Sequence, residues 1–126
     1  MKTEEEINAV NIQLTALIVA LLSSIISIII TYNQKLDIEG KKSKIDSSNL
    51  FKLTLFNRIL IVVLSLVFLY VNYSFYNISK KEGENLKSYI LQISASIFAL
   101  ISGLIALYVV SLSNTESIVD VENPII

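Results

Sequence analysis

No cysteine and no histidine occur anywhere in the 126 residues. The first absence excludes disulfides, thiolate chemistry and cysteine metal ligands. The second removes the commonest metal ligand and acid–base catalyst. Glycine is equally sparse. Gly40, Gly83 and Gly103 stand alone, so no phosphate-cradling loop can form. Charge is scarce too, at 17% of residues against about 25% in an average soluble domain. Net charge is −1, which leaves no electrostatic footprint for nucleic acid. These absences point away from an enzyme, a metal site or a cofactor site, and none is expected.

More than half of the chain is hydrophobic, and its charges are clustered. Residues 7–34, 59–79 and 88–115 contain no Asp, Glu, Lys or Arg. Uncharged apolar runs of about 18 residues or more are the signature of transmembrane helices. A soluble bundle would need a polar outer face on each helix, and none of these runs has one. The expected fold is therefore all-α, an integral membrane protein with three transmembrane helices in an antiparallel bundle.

Residues 1–9 form a polar head with Glu4 to Glu6, and Thr3 as a candidate cap. The first span is expected over residues 10–32. Thirteen of these are Ile, Leu or Val, which supplies roughly −4 to −8 kcal/mol of insertion free energy before polar residues are subtracted. Isoleucine is a mediocre helix former in water, but lipid forces every backbone group to bond internally. The run is too long, and its leading residues too acidic, for a cleaved signal peptide, so it is expected to be retained. A basic loop, 33–52, follows. Gly40 suits a turn there, and Asp46, Ser47 or Ser48 can cap the next helix. The second span covers 53–76, a short linker 77–87 turns at Gly83, and the third span covers 88–112. An acidic tail, 113–126, carries Glu116, Asp120 and Glu122.

The aromatic residues agree with this map, because tyrosine favours membrane interfaces. Tyr32, Phe51, Phe56 and Tyr108 fall at one interface. Tyr70, Tyr73, Phe75, Tyr76 and Tyr89 fall at the other. Five lysines and Arg58 lie toward the first loop, against four lysines on the opposite side. The positive-inside rule then leans toward an outside N-terminus and a cytoplasmic C-terminus. Abundant Ile, Asn, Lys and Ser suit an AT-rich coding sequence, so a bacterial plasma membrane is the expected location.

Small residues mark the packing faces. Gln92, Ser96, Ala99, Gly103 and Ala106 recur at helical spacing, with Ala95 on an adjoining ladder. Gln13, Ala16, Ala20, Ser23 and Ser27 do the same, with Ser24 adjoining. Helices in lipid associate by close backbone approach and interhelical hydrogen bonds, and small residues permit both. Residues 13–26 and 92–105 share seven of fourteen positions. The expectation is that these stripes pair, within one molecule or between copies, so that Gly103→Leu and Ala99→Leu disrupt assembly more than Ile97→Leu. The second span lacks such a stripe and should offer bulky surface to lipid or to the grooves of the other two.

Three further features bear on function. Asn11, Gln13, Asn72 and Gln92 lie at similar depth and form a candidate polar layer. A register-fixing role for these amides is favoured over a polar mouth for a solute or headgroup. Arg58, two turns into the second span, is the one charge within it. Snorkelling to the interface accounts for it more simply than a lipid-headgroup contact. No span contains a carboxylate, so the usual proton or sodium relay is missing. The expected function is a non-enzymatic accessory, structural or assembly role. Its expected partners are the lipid bilayer and a homo-oligomer or protein partner in the membrane, with no nucleic acid and no metal. The alternative is an oligomeric pore-forming, holin-like protein.

Overall fold

The structure is a computed structural model that describes residues 2–42 and 44–113. The acidic tail, including Glu116, Asp120 and Glu122, lies outside the described residues, apart from Ser113 at the end of the last helix. The chain forms three helices, α1 (Lys2–Ile38), α2 (Ser47–Lys81) and α3 (Lys87–Ser113). Each is long and apolar enough to cross a membrane.

Both α1 and α2 outrun their apolar spans. At 1.5 Å per residue they reach about 55 and 52 Å, well past a hydrocarbon core of about 30 Å. Hydropathy marks where a helix suits lipid, whereas the helix itself ends only where the backbone is stopped. Nothing in residues 2–9 breaks a helix, and Glu4 and Glu5 suit the positive end of its dipole. Thr3 therefore lies inside the first turn rather than before it. At the far end Gly40, with φ +75°, stops α1. Its N–H donates to the Asp37 carbonyl at 3.1 Å, and the Lys41 N–H donates to the Leu36 carbonyl at 2.8 Å. This pair of bonds is the Schellman closure, which needs a left-handed residue at its centre.

The same device ends α2. Gly83 has φ +71°, the Gly83 N–H donates to Lys80, and the Glu84 N–H donates to Ser79. Of the three candidate caps for α2, Asp46 takes the position. Its backbone is extended and its carboxylate accepts from the Asn49 N–H at 2.8 Å. The Asn85 side chain accepts from the Lys87 N–H at 2.9 Å and satisfies a free donor of the first turn of α3.

Helix α2 packs against both neighbours. Cα atoms of α1 and α3 nowhere come within 8 Å of each other among the described residues. The two small-residue stripes therefore do not pair with each other inside one chain. Each helix buries a line with a seven-residue repeat, Ala9, Ala16, Ser23 and Ile30 on α1, and Ser96, Gly103 and Val110 on α3. Along α2 there are two such lines. Leu50, Asn57, Leu64, Val71 and Ile78 form one. Ser65, Asn72 and Ser79, displaced by one residue, belong to the other. A seven-residue repeat keeps a contact line facing its partner along a helix of 3.6 residues per turn only if the pair supercoils gently.

Candidate functional site

Polar side chains in these seams join the helices. Asn57 on α2 is completely buried. The Ser23 hydroxyl donates to Asn57 Oδ1 at 2.7 Å, and Asn57 Nδ2 donates to the Ser27 hydroxyl at 2.9 Å. One amide thus holds two turns of α1. On the other side of α2, Asn72 Nδ2 donates to the Ser96 hydroxyl of α3 at 2.6 Å. It also points at the Gln92 carbonyl at 3.5 Å, at the limit of a hydrogen bond. Ser96 in turn donates to the Gln92 carbonyl at 3.0 Å. The two asparagines are fifteen residues apart and serve different partners.

A third asparagine fixes the first loop. Asn33 is buried near the end of α1, and its Nδ2 donates to the Ile29 carbonyl at 2.9 Å. Its Oδ1 accepts from the backbone N–H groups of Lys44 and Ile45, at 2.9 and 3.1 Å. That folds the loop back over the helix end. Ile30 and Leu50 pack together beneath it, with Ile26, Ile45 and Phe51 around them. At the opposite end, Lys81 of α2 lies 3.6 Å from the Glu5 carboxylate of α1.

The expected packing residues divide by helix. Ala16 and Ser23 are buried against α2, and Gln13, Ala20 and Ser27 are half-buried beside them. Ser24 is exposed and donates to its own helix, to the Ala20 carbonyl. On α3, Ser96 and Gly103 are buried and Ala106 is half-buried. A Cβ added at Gly103 would lie 3.5 Å from Val62 Cγ2 and 3.9 Å from Val62 Cα, so this glycine sits on the backbone of α2. Gln92, Ala95 and Ala99 remain exposed. The amides expected to form a polar layer do not converge. Asn72 serves α3, whereas Asn11 is exposed on α1. Arg58 is half-buried, seven residues before Ser65 in the second line of α2.

Asn57 and Asn33 had no place among the expected site residues. Asn57 sits beside Arg58, and the charge draws attention first. Its signal is its register, since Asn57 falls in the seven-residue line Leu50, Leu64, Val71, where an amide is out of keeping with its neighbours.

Among the described residues, two hollows reach the dimensions of a binding site, and the smaller, of about 380 Å³, lies beside Ser27, Thr31 and Lys35 on α1. The larger, a groove of about 440 Å³, runs between α1 and α2, lined by Asn11, Ile12, Thr15, Ala16 and Val19 on one side and Leu60, Val63, Leu64 and Val67 on the other. Ligand sites typically have volumes of about 300–1,000 Å³. A further hollow of about 250 Å³ adjoins it through Ile12 and is lined by Glu5, Asn8, Ala9, Tyr70, Ser74, Asn77 and Ile78. The groove is almost wholly apolar, and the adjoining hollow mixes a carboxylate, two amides and two hydroxyls. Among the described residues, no three side chains of metal-ligating type come together.

Compared with protein-family models, curated proteins and solved structures, the chain matches none. Function must therefore be argued from the site itself.

Proposed function

We infer that the chain is an integral membrane protein whose three helices run antiparallel across a bacterial plasma membrane, in a non-enzymatic accessory or assembly role. The observation that carries this is where polarity lies. Buried positions include Ser23, Asn57, Ser65 and Ser96, while Leu21, Ile28, Leu66, Phe98 and Leu112 are each at least half exposed. Water-soluble folds bury large apolar side chains and rarely expose contiguous apolar patches of more than a few hundred Å². Lipid reverses the preference, because apolar faces cost nothing there and hydrogen bonds between helices hold the assembly.

Inside the spans some hydroxyls, such as those of Thr15, Ser24, Ser65 and Ser94, bond carbonyls of their own helix, and the buried amides join helices. Ser23, Ser27 and Asn57 satisfy one another, and Asn72 satisfies Ser96. That favours an assembly role over a pore, which needs its polar groups turned toward a lumen. The exposed faces of α1 and α3, including Ala95 and Ala99, are the surfaces a membrane partner would meet. The proposed orientation has the N-terminus outside and the first loop, with its lysines, in the cytoplasm.

Alkaline extraction of membranes followed by mild-detergent purification tests this function. The expected result is a chain that stays with the membrane fraction and co-purifies with a stoichiometric membrane partner. Release by alkali contradicts the membrane reading. Collapse of the membrane potential on expression contradicts the accessory role in favour of the pore.

A further inference from the structure

We propose that the groove between α1 and α2 holds one phospholipid with a zwitterionic, ethanolamine-type headgroup. This rests on the membrane reading above and adds a ligand to it. The two hollows meet at Ile12 and differ steeply in polarity. The mouth is lined by Glu5, Asn8, Ser74 and Asn77, and Tyr70 stands at its edge. The inner part is walled by aliphatic side chains from Ile12 to Val19 on α1 and Leu60 to Val67 on α2. Such a gradient suits an amphiphile lying along the helices.

Depth agrees with this assignment. Glu5, Asn8 and Asn11 climb one side of α1 at intervals of three residues, so polar groups span about 9 Å before the apolar walls begin. Asn11 is exposed and lines the apolar hollow beside Ile12, the residue that the two hollows share. Thr15, the next polar residue inward, donates its hydroxyl to the Asn11 carbonyl of its own helix. Beyond it the walls are aliphatic, as an acyl chain requires.

Charge selects the headgroup. Glu5 is the charged side chain lining the mouth, and Lys81 lies 3.6 Å from its carboxylate. The rim thus presents a carboxylate and an ammonium side by side. An ethanolamine phosphate carries the complementary pair, ammonium toward Glu5 and phosphate toward Lys81. A headgroup with a phosphate and no ammonium leaves Glu5 facing a like charge, which discriminates against anionic lipids.

The test uses the full chain purified in mild detergent and native mass spectrometry. Phosphatidylethanolamine and phosphatidylglycerol with identical acyl chains are added in turn. The expected result is one retained ethanolamine lipid per chain, held about tenfold more tightly than the glycerol lipid. Val63→Trp fills the channel from a half-exposed position and should weaken retention about tenfold. Leu66→Trp, equally exposed on α2 but outside the groove, should leave it unchanged. Equal retention of the two lipids by the unmodified chain overturns the proposal without reliance on any variant. Equal retention by Val63→Trp and Leu66→Trp overturns it as well. A chain that resists alkaline extraction yet shows no lipid preference loses the groove assignment alone, whereas a chain released by alkali loses the membrane reading too.

Discussion

Asn57 joins two helices through one amide, and its removal leaves Ser23 and Ser27 of α1 without their partner on α2. Interhelical hydrogen bonds in membrane proteins are individually modest, at about 0.6–2 kcal/mol each. Asn57→Ala should therefore destabilise the chain by about 1–3 kcal/mol in a micelle unfolding titration. Ser94→Ala is the control, because its hydroxyl donates to the Ile90 carbonyl of its own helix and joins nothing. It should stay within about 0.5 kcal/mol. Combining Asn57→Ala with Asn72→Ala should give an additive loss, since the two amides share no partner. Glycine and capping residues were legible in the sequence at this scale. Gly40 and Gly83 could be placed at turns because few other residues adopt positive φ, and Asp46 was among three adjacent cap candidates. The partners of Asn57 were not legible, because its register marks it as unusual in an apolar line but its role is set by residues at least thirty positions away.

Helix boundaries and packing faces belong to the next scale. A Cβ at Gly40 would meet nothing within 4 Å, so Gly40→Ala isolates the backbone cost of φ +75°. That cost should be about 1–2 kcal/mol, read as a lower unfolding midpoint. At Gly103 the backbone is unstrained and space is the constraint. Gly103→Ala places its methyl at ordinary contact distance from Val62 and should be tolerated. Gly103→Leu should cost about 1–3 kcal/mol by forcing α3 off α2. Ala99→Leu, expected from spacing alone to behave like Gly103→Leu, should instead fall within about 0.5 kcal/mol because Ala99 is exposed. A common loss in both leucine variants, measured by the same titration, would contradict the seam drawn here. The faces were readable because small residues recur at helical spacing. Their partner was not, since periodicity reports which side of a helix is special and says nothing about what meets it. The buried members of both stripes meet α2, whereas Gln92, Ala95 and Ala99 stay exposed. The helix ends ran past the apolar spans for a similar reason: hydropathy senses solvent, whereas Gly40 and Gly83 stop the backbone.

For the whole molecule, α2 is the element on which both others rest. The absence of native cysteine makes this directly testable by paired substitution. Val62→Cys with Gly103→Cys should form a disulfide in membranes, given the 3.9 Å between a Cβ at 103 and Val62 Cα. Ala16→Cys with Ala99→Cys should form none within a monomer, because α1 and α3 stay more than 8 Å apart and a disulfide cannot bridge Cα atoms beyond about 7 Å. Three apolar helices were readable from composition and charge gaps alone, since uncharged runs of that length have few alternatives. How the helices sit in a bilayer depends on a solvent that the chain's own contacts do not contain. The most direct measurement is therefore the reactivity of a single cysteine toward a membrane-impermeant maleimide in intact membranes. Leu66 is half exposed in the fold, and Glu84 sits in the linker between α2 and α3. If lipid covers the apolar faces, Glu84→Cys is labelled and Leu66→Cys is not until detergent and denaturant are added. Labelling of Leu66→Cys at the rate of Glu84→Cys would place that face in water and contradict a membrane-spanning fold.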